Sequence, residues 1–405
     1  MSWTLQRFQT VTTWLVVVAW AVFYAIALVN ADPLPTPDTA VVQLVVPPLL
    51  WVIAARFVLH HWWSAAGSTM AAMDPPERLL AAAVAALPER RREWGRAMSA
   101  ELAGVEGRSA RWRFALSSVR ATLWLPPAGG WPVLTLVTAL VVAATAAAGP
   151  AVGAAVPGLR VFAVTFVGLA GAMVVLAVAR SRRPRLPVAP TVLVAGGAAA
   201  AIAVTVVFLR REPAAAEHLP PAAAVYLATV LAGCLWVALA SPRWLGANRL
   251  APRLGAAAAV VFAAWFLLAI RTDGMESPLP LVLLLAVVLP LAPLAVFAVP
   301  AFAARRAGSF RSGLRAAVWT VAAVMPLTYA LWLTEAMRRH AIDGTLLVGG
   351  RAPVGVNLTD AVVFSLGIFP MTGLTLGVIS AGLGARGARR AAPGDPAERR
   401  PHPTT

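Results

Sequence analysis

Lysine is absent from this 405-residue chain, whose 34 basic residues are all arginine. No single arginine can therefore be read as chosen over lysine for its planar fork. Cysteine is nearly absent too. The lone Cys234 lies in an apolar run, which excludes an intramolecular disulfide and any cysteine-rich metal site. Charge itself is scarce: Asp, Glu, Lys and Arg make up 13% of the residues, where a soluble globule needs roughly a quarter to cover its surface. That deficit excludes a soluble enzyme, a disordered chain and a disulfide-stapled module. A formal net charge of +17 would point to nucleic acid in a soluble protein. Its placement here gives a different answer.

Apolar residues fill 60% of the chain, and the mean hydropathy is +0.76. A helix needs about 20 apolar residues to cross a hydrocarbon core of roughly 30 Å. Stretches free of Asp, Glu, Arg and His run over 11–29, 39–55, 121–159, 161–179, 186–209, 219–242, 254–270, 277–304, 316–334 and 361–385. The third is too long for one crossing, and Gly149-Pro150 and Pro157-Gly158 punctuate it, so its helix is expected at about 131–148. The fold class read from this is all-α: a polytopic transmembrane helix bundle of about ten spans. Residues 11–29 count as a span rather than a cleaved leader, because the run is long and only Arg7 precedes it.

The loops test that count, since short cytoplasmic loops collect arginine. With the N-terminus inside, alternation puts 27 of the 34 arginines on the inner face but only eight of the 17 acids. A bacterial plasma membrane with both termini cytoplasmic is the expected setting. Trp3, Trp51, Trp131, Trp244, Trp319 and Trp332 fall near expected span ends, where amphipathic rings prefer the headgroup level.

Four regions follow: a two-span hairpin over 1–60, a cytoplasmic amphipathic helical module over 61–130, an eight-span bundle over 131–385, and a disordered tail over 386–405. The module reads as three helices. Asp74-Pro75-Pro76-Glu77 is a start signal, with a capping acid, first-turn prolines and Glu three residues on. Leu79, Leu80, Val84 and Leu87 share a face before Pro88 ends the helix. Trp94, Met98, Leu102 and Val105 form the next stripe, with Gly107 as its expected C-terminal cap. In the third helix, about 108–124, Trp112, Leu116, Val119 and Leu123 form the apolar side and Arg111 lies off it.

Arg-rich amphipathic helices bearing tryptophan lie against anionic headgroups. Arg90, Arg91, Arg92, Trp94, Arg96 and Trp112 are thus candidate contacts to inner-leaflet lipid or to a cytoplasmic protein. No recognition motif accompanies the charge, so nucleic acid is not an expected partner. The run from Arg91 to Leu102 (R-R-E-W-G-R-A-M-S-A-E-L), followed by Arg111-Trp112-Arg113-Phe114-Ala115-Leu116, resembles a juxtamembrane segment of uncharacterised bacterial integral-membrane proteins. The resemblance covers about 50 residues. It implies a shared cytoplasmic module on membrane spans, with no activity or catalytic residues to carry over.

No zinc H-E-x-x-H, nucleophile elbow or phosphate loop is present. No catalytic group, metal or cofactor is expected. Mid-span ionisable residues, which mark function by their cost, are missing; Glu335 and Asp360 fall at outer span ends. In the external stretch 335–360, Glu335, Arg338, Arg339, His340 and Asp343 are close enough to pair along a helix, and are expected to be a solvated, self-paired helix end or a contact site. Asn357-Leu358-Thr359 matches a glycosylation sequon. Pro47-Pro48, Pro290, Pro293, Pro300, Pro326 and Pro370 interrupt spans, as in transporters built from broken helices. Two readings remain: a non-enzymatic membrane component with an engaging module, and a permease-like transporter of an uncharged or amphipathic solute.

Overall fold

A computed structural model describes residues 73–87, 91–123, 130–153, 159–180, 188–240, 243–246, 249–272, 296–347 and 353–391, with scattered positions before residue 57 and at 294. The described residues are helical with no strand. Three short helices come first: α1 Pro75–Ala86, α2 Arg92–Gly104 and α3 Arg108–Leu123. The long apolar helices follow as α4 Trp131–Gly153, α5 Arg160–Arg180, α6 Val188–Arg211, α7 Pro221–Ala240, α8 Leu250–Thr272 and α9 Phe310–Asp343. The last is compound: α10 Val356–Ala361, a π-helical segment Val362–Ile368, and α11 Phe369–Ala391.

Six of these, counting α10 to α11 as one, are long and apolar enough to cross a membrane. They are α4, α6, α7, α8, α9 and the compound helix; α5 carries a shorter apolar stretch, Arg160–Val175. Seven of the ten expected spans thus coincide with helices. The other three, over 11–29, 39–55 and most of 277–304, lie outside the described residues, as do Trp3, Trp51, Pro47-Pro48, Pro290 and Pro293.

The centre of the bundle is α9. Of its most apolar window 78% is buried, against 22–33% for α4, α6, α7 and α8. It packs on α6, α8 and α11. Small residues permit the approach: a Cβ on Gly255 of α8 would stand 2.9 Å from the Thr320 backbone nitrogen, and one on Gly377 of α11 would stand 2.5 Å from the Ala317 Cβ. Close packing of this kind replaces the hydrophobic effect inside lipid. Across α6 and α9, the hydroxyls of Thr205 and Tyr329 lie 3.0 Å apart in a hydrogen bond.

Several expectations are corrected. The break at Gly149-Pro150 does not occur, because α4 runs through Pro150 to Gly153; proline is generally tolerated within membrane helices. Pro326 likewise sits inside an unbroken α9. Trp319 and Trp332, expected to face the headgroup level, are buried among the helices. The Trp319 indole donates to the Leu245 carbonyl at 3.3 Å, and Trp332 stacks between Phe266 and Phe364. Gly107 does not cap α2, which ends at Val105. It takes φ +83° in the following turn, and its carbonyl accepts from the Arg111 amide in the first turn of α3.

Candidate functional site

Three places concentrate polar chemistry, and each is built differently. The first is the three-helix module. At its start the Asp74 carboxylate accepts from the Glu77 amide at 3.0 Å while Glu77 accepts from the Asp74 amide at 3.1 Å, the reciprocal cap that the D-P-P-E run predicts. Leu80, Leu87, Met98, Leu102 and Ala115 form the core, with Leu79, Val84 and Phe114 packed on it. Gly95 lets α2 come close: a Cβ there would stand 2.6 Å from a Val84 methyl.

The centre of this module is a residue expected on the outside. Arg111 donates to Asp74 at 2.8 Å, to Glu77 at 2.7 Å, and to the carbonyls of Leu102 and Val105 at 2.8 and 3.2 Å. One guanidinium therefore ties the first turn of α1 to the C-terminal end of α2 from its seat on α3. It satisfies carbonyls that a helix C-terminus leaves open, and its hydrogen bond holds the Asp74 carboxyl below the ordinary value. The inward face of α3 includes Arg111, Ala115 and Ser118, so of the expected apolar side Trp112 and Val119 are half-buried and Leu116 is 54% exposed. Arg108, Trp112, Leu116 and Arg120 then follow one another at steps of four along α3, both arginines exposed.

Of the candidate contacts here, Arg91, Trp94 and Arg96 are exposed on α2 and its first flank. Arg92 opens the helix, and Arg90 lies outside the described residues.

The second place is where α8, α9 and α10 end together. Glu335 is buried, not solvated as expected: its side chain is 2% exposed. It accepts from Arg338 Nε at 2.8 Å, and also from the Nη2 of that residue, and from Arg271 Nε at 3.3 Å. Arg339 does not join it. Its guanidinium donates instead to the Ile270 and Leu347 carbonyls at 2.8 and 3.0 Å, closing the α8 terminus. Sequence spacing found the Arg338 partner but not Arg271, which is 64 residues away. His340 is half-buried, with Nδ1 unpartnered among the described residues. Asp343 ends α9, and Gly344 follows in the left-handed conformation at φ +69°, its amide donating to the His340 carbonyl.

Asn357 is wholly buried. It accepts from the Leu347 amide at 3.1 Å and donates to the Val354 carbonyl at 3.2 Å. The sequon reading is corrected by that burial. Thr359 donates to the His218 carbonyl, and Gly355 allows the contact, since a Cβ there would stand 2.5 Å from His218 Nδ1.

The third place is the π-helical segment. Pro370 has no amide hydrogen, so the Leu366 carbonyl four residues earlier loses its α-helical donor. The buried Tyr226 hydroxyl of α7 supplies one at 2.8 Å. The departure from α geometry thus sits just before Pro370 rather than as a break at it. Ser365, inside the segment, is fully buried and its hydroxyl has no partner among the described residues. Thr145, Thr205, Thr320 and Thr334 by contrast bond their i−4 carbonyls. Six rings, of Phe262, Trp265, Phe266, Trp332, Phe364 and Phe369, meet beside it.

Among the described residues no group of three or more His, Cys, Asp or Glu is placed to hold a metal ion. Comparison with known proteins gives no match: no family model, no curated protein and no solved structure matches this chain. All-helical architecture with several membrane-length apolar helices is thus the class that the fold defines.

Proposed function

We propose that this is a polytopic protein of the bacterial plasma membrane, non-enzymatic, whose three-helix module rests on the anionic inner leaflet. The observation that carries the reading is the series Arg108, Trp112, Leu116 and Arg120. A module with its own core still leaves Leu116 exposed and Trp112 only half-buried, bracketed by exposed arginines. Water is a poor environment for that stripe, whereas the headgroup boundary accepts both halves of it. Each arginine near an anionic surface adds about 1 kcal/mol of attraction. The excess of arginine in the module's half of the loops supports an inner location.

The test uses the full-length protein in nanodiscs. Hydrogen exchange over 108–123 is slower with phosphatidylglycerol than with phosphatidylcholine, and a Trp112→Ser, Leu116→Ser variant loses the difference. Equal exchange in both lipids would leave the surface to a cytoplasmic protein partner.

A second reading, a permease-like pathway for an uncharged or amphipathic solute, has its own support in the π-helical segment. Such segments are frequent at functional sites, and the Ser365 hydroxyl there has no partner among the described residues. Solute flux into proteoliposomes that falls on Ser365→Ala, with the fold retained, would favour it.

A further inference from the structure

We propose that the groove between α4 and α5 holds one anionic lipid, its headgroup on Arg160 and an acyl chain along the helices. This rests on the chain being membrane-embedded, but not on where the module sits. Close pairs set the register. Val141 meets Gly171, Thr145 meets Gly168 and Val164 meets Gly149, so the helices run antiparallel. Beside this seam lies an open groove of about 950 Å³, reaching from Leu134 and Val175 at one end to Pro150 and Arg160 at the other. From Leu134 to Pro150 the helical rise is about 24 Å, more than half the roughly 30 Å hydrocarbon core. An acyl chain fits from headgroup level to the midplane.

The chemistry of the lining selects the occupant. Its walls are aliphatic with two threonines, and the Thr145 hydroxyl is already spent on the Val141 carbonyl at 2.7 Å. The other threonine, Thr138, is exposed. Arg160 is the sole charge in the lining. Its stem lies over two glycines: a Cβ on Gly153 would stand 3.1 Å from the Arg160 Cβ, and one on Gly149 would stand 3.4 Å from its Cγ. The residue is exposed, and no hydrogen-bond or ion-pair partner is present for it among the described residues. An unpaired cation at one end of an apolar trough is complementary to an anionic headgroup with its tail in the trough. A zwitterionic headgroup brings its own cation to the same place and gains less.

The experiment is native mass spectrometry of the full-length protein in mild detergent, titrated with phosphatidylglycerol, phosphatidylcholine or inorganic phosphate. One phosphatidylglycerol is retained, at least ten-fold more tightly than phosphatidylcholine, and millimolar phosphate does not displace it. Arg160→Gln lowers retention about ten-fold and Arg160→Lys restores most of it. Thr138→Trp, on an exposed position of the trough, lowers it without touching the charge. Unchanged retention in Arg160→Gln or in Thr138→Trp overturns the proposal, as does equal binding of phosphatidylcholine or displacement by phosphate alone. Helical content by circular dichroism identifies any variant that fails to fold. The Arg160→Lys and Thr138→Trp pair still decides the matter if Arg160→Gln is lost.

Discussion

Arg111 and Glu335 solve the same problem with opposite signs. In the module one arginine gathers two carboxylates and two helix-end carbonyls; in the bundle one carboxylate gathers two arginines. The settings differ more than the geometry. Arg111 joins three helices close in sequence beside water, and its partners Asp74 and Glu77 also cap each other. Glu335 is buried, and its arginines stand at 55% and 46% side-chain exposure. Losing Arg111 leaves carboxylates that solvent can reach. Losing Glu335 leaves two cations facing one another where the spans end.

Among the membrane-length helices the largest effect is therefore expected at Glu335. Breaking a fully buried ion pair from one side costs roughly 3–5 kcal/mol, and the half-exposed arginines reduce this to about 2–3 kcal/mol. Unfolding in mixed detergent should show that loss for Glu335→Ala, with Glu335→Gln intermediate because its amide oxygen still accepts. Equal stability of Glu335→Ala and the parent would remove Glu335 from the account.

Next is the module core. Leu102→Ala removes a buried side chain at the α2–α1 contact and should cost about 2–5 kcal/mol, read as faster hydrogen exchange confined to 73–123. Arg111→Ala should accelerate exchange over the same residues, while Arg111→Lys, with no fork, restores only part. An effect limited to α3 would contradict the clamp.

The two centres also diverge with acid. The folded-state Asp74 carboxyl titrates below its ordinary value of 3.8, through the Arg111 hydrogen bond first and the Glu77 amide second. Its contribution is complete above 3.8 and is lost as pH falls through the lower folded value. Module exchange, corrected for its intrinsic pH dependence, should rise below that point in the parent. Asp74→Asn should already be faster at neutral pH and show less of the acid increment.

The smallest of these effects belongs to Tyr226. Tyr226→Phe removes the hydroxyl donor to the Leu366 carbonyl, at about 0.5–1.5 kcal/mol. Pro370→Ala returns an amide donor to that carbonyl, so the double variant should recover part of the loss. Purely additive effects would break the link between Pro370 and the Tyr226 hydroxyl.

What was legible in the sequence followed from local rules. Asp74-x-x-Glu77 specifies its own cap within one turn, and the apolar runs specify their helices because length alone decides a crossing. Arg338 was legible as a partner of Glu335 because three residues bring them to one side of α9. Arg271 was not, since only the packing of α8 on α9 brings it there. Arg111 misled for a related reason: an arginine beside Trp112 and Leu116 reads as outward, and only the open ends of α1 and α2 make the inside its better environment. Trp319 and Trp332 misled because a ring near a span end suits the headgroup level equally well until neighbouring helices bury it. The π-helical segment left one readable trace, Pro370, whose missing amide named the carbonyl needing a donor but not the tyrosine that supplies it.

The central proposal is that these apolar helices thread a membrane with the module on the inner side and the 3₁₀ turn Pro213–His218 on the outer. Cysteines introduced one at a time at the exposed positions Ala100 and Glu217, with the buried Cys234 as internal background, test it with a membrane-impermeant maleimide on intact cells. Ala100→Cys should label only after permeabilisation and Glu217→Cys before it; labelling of both from the same side would contradict the threading.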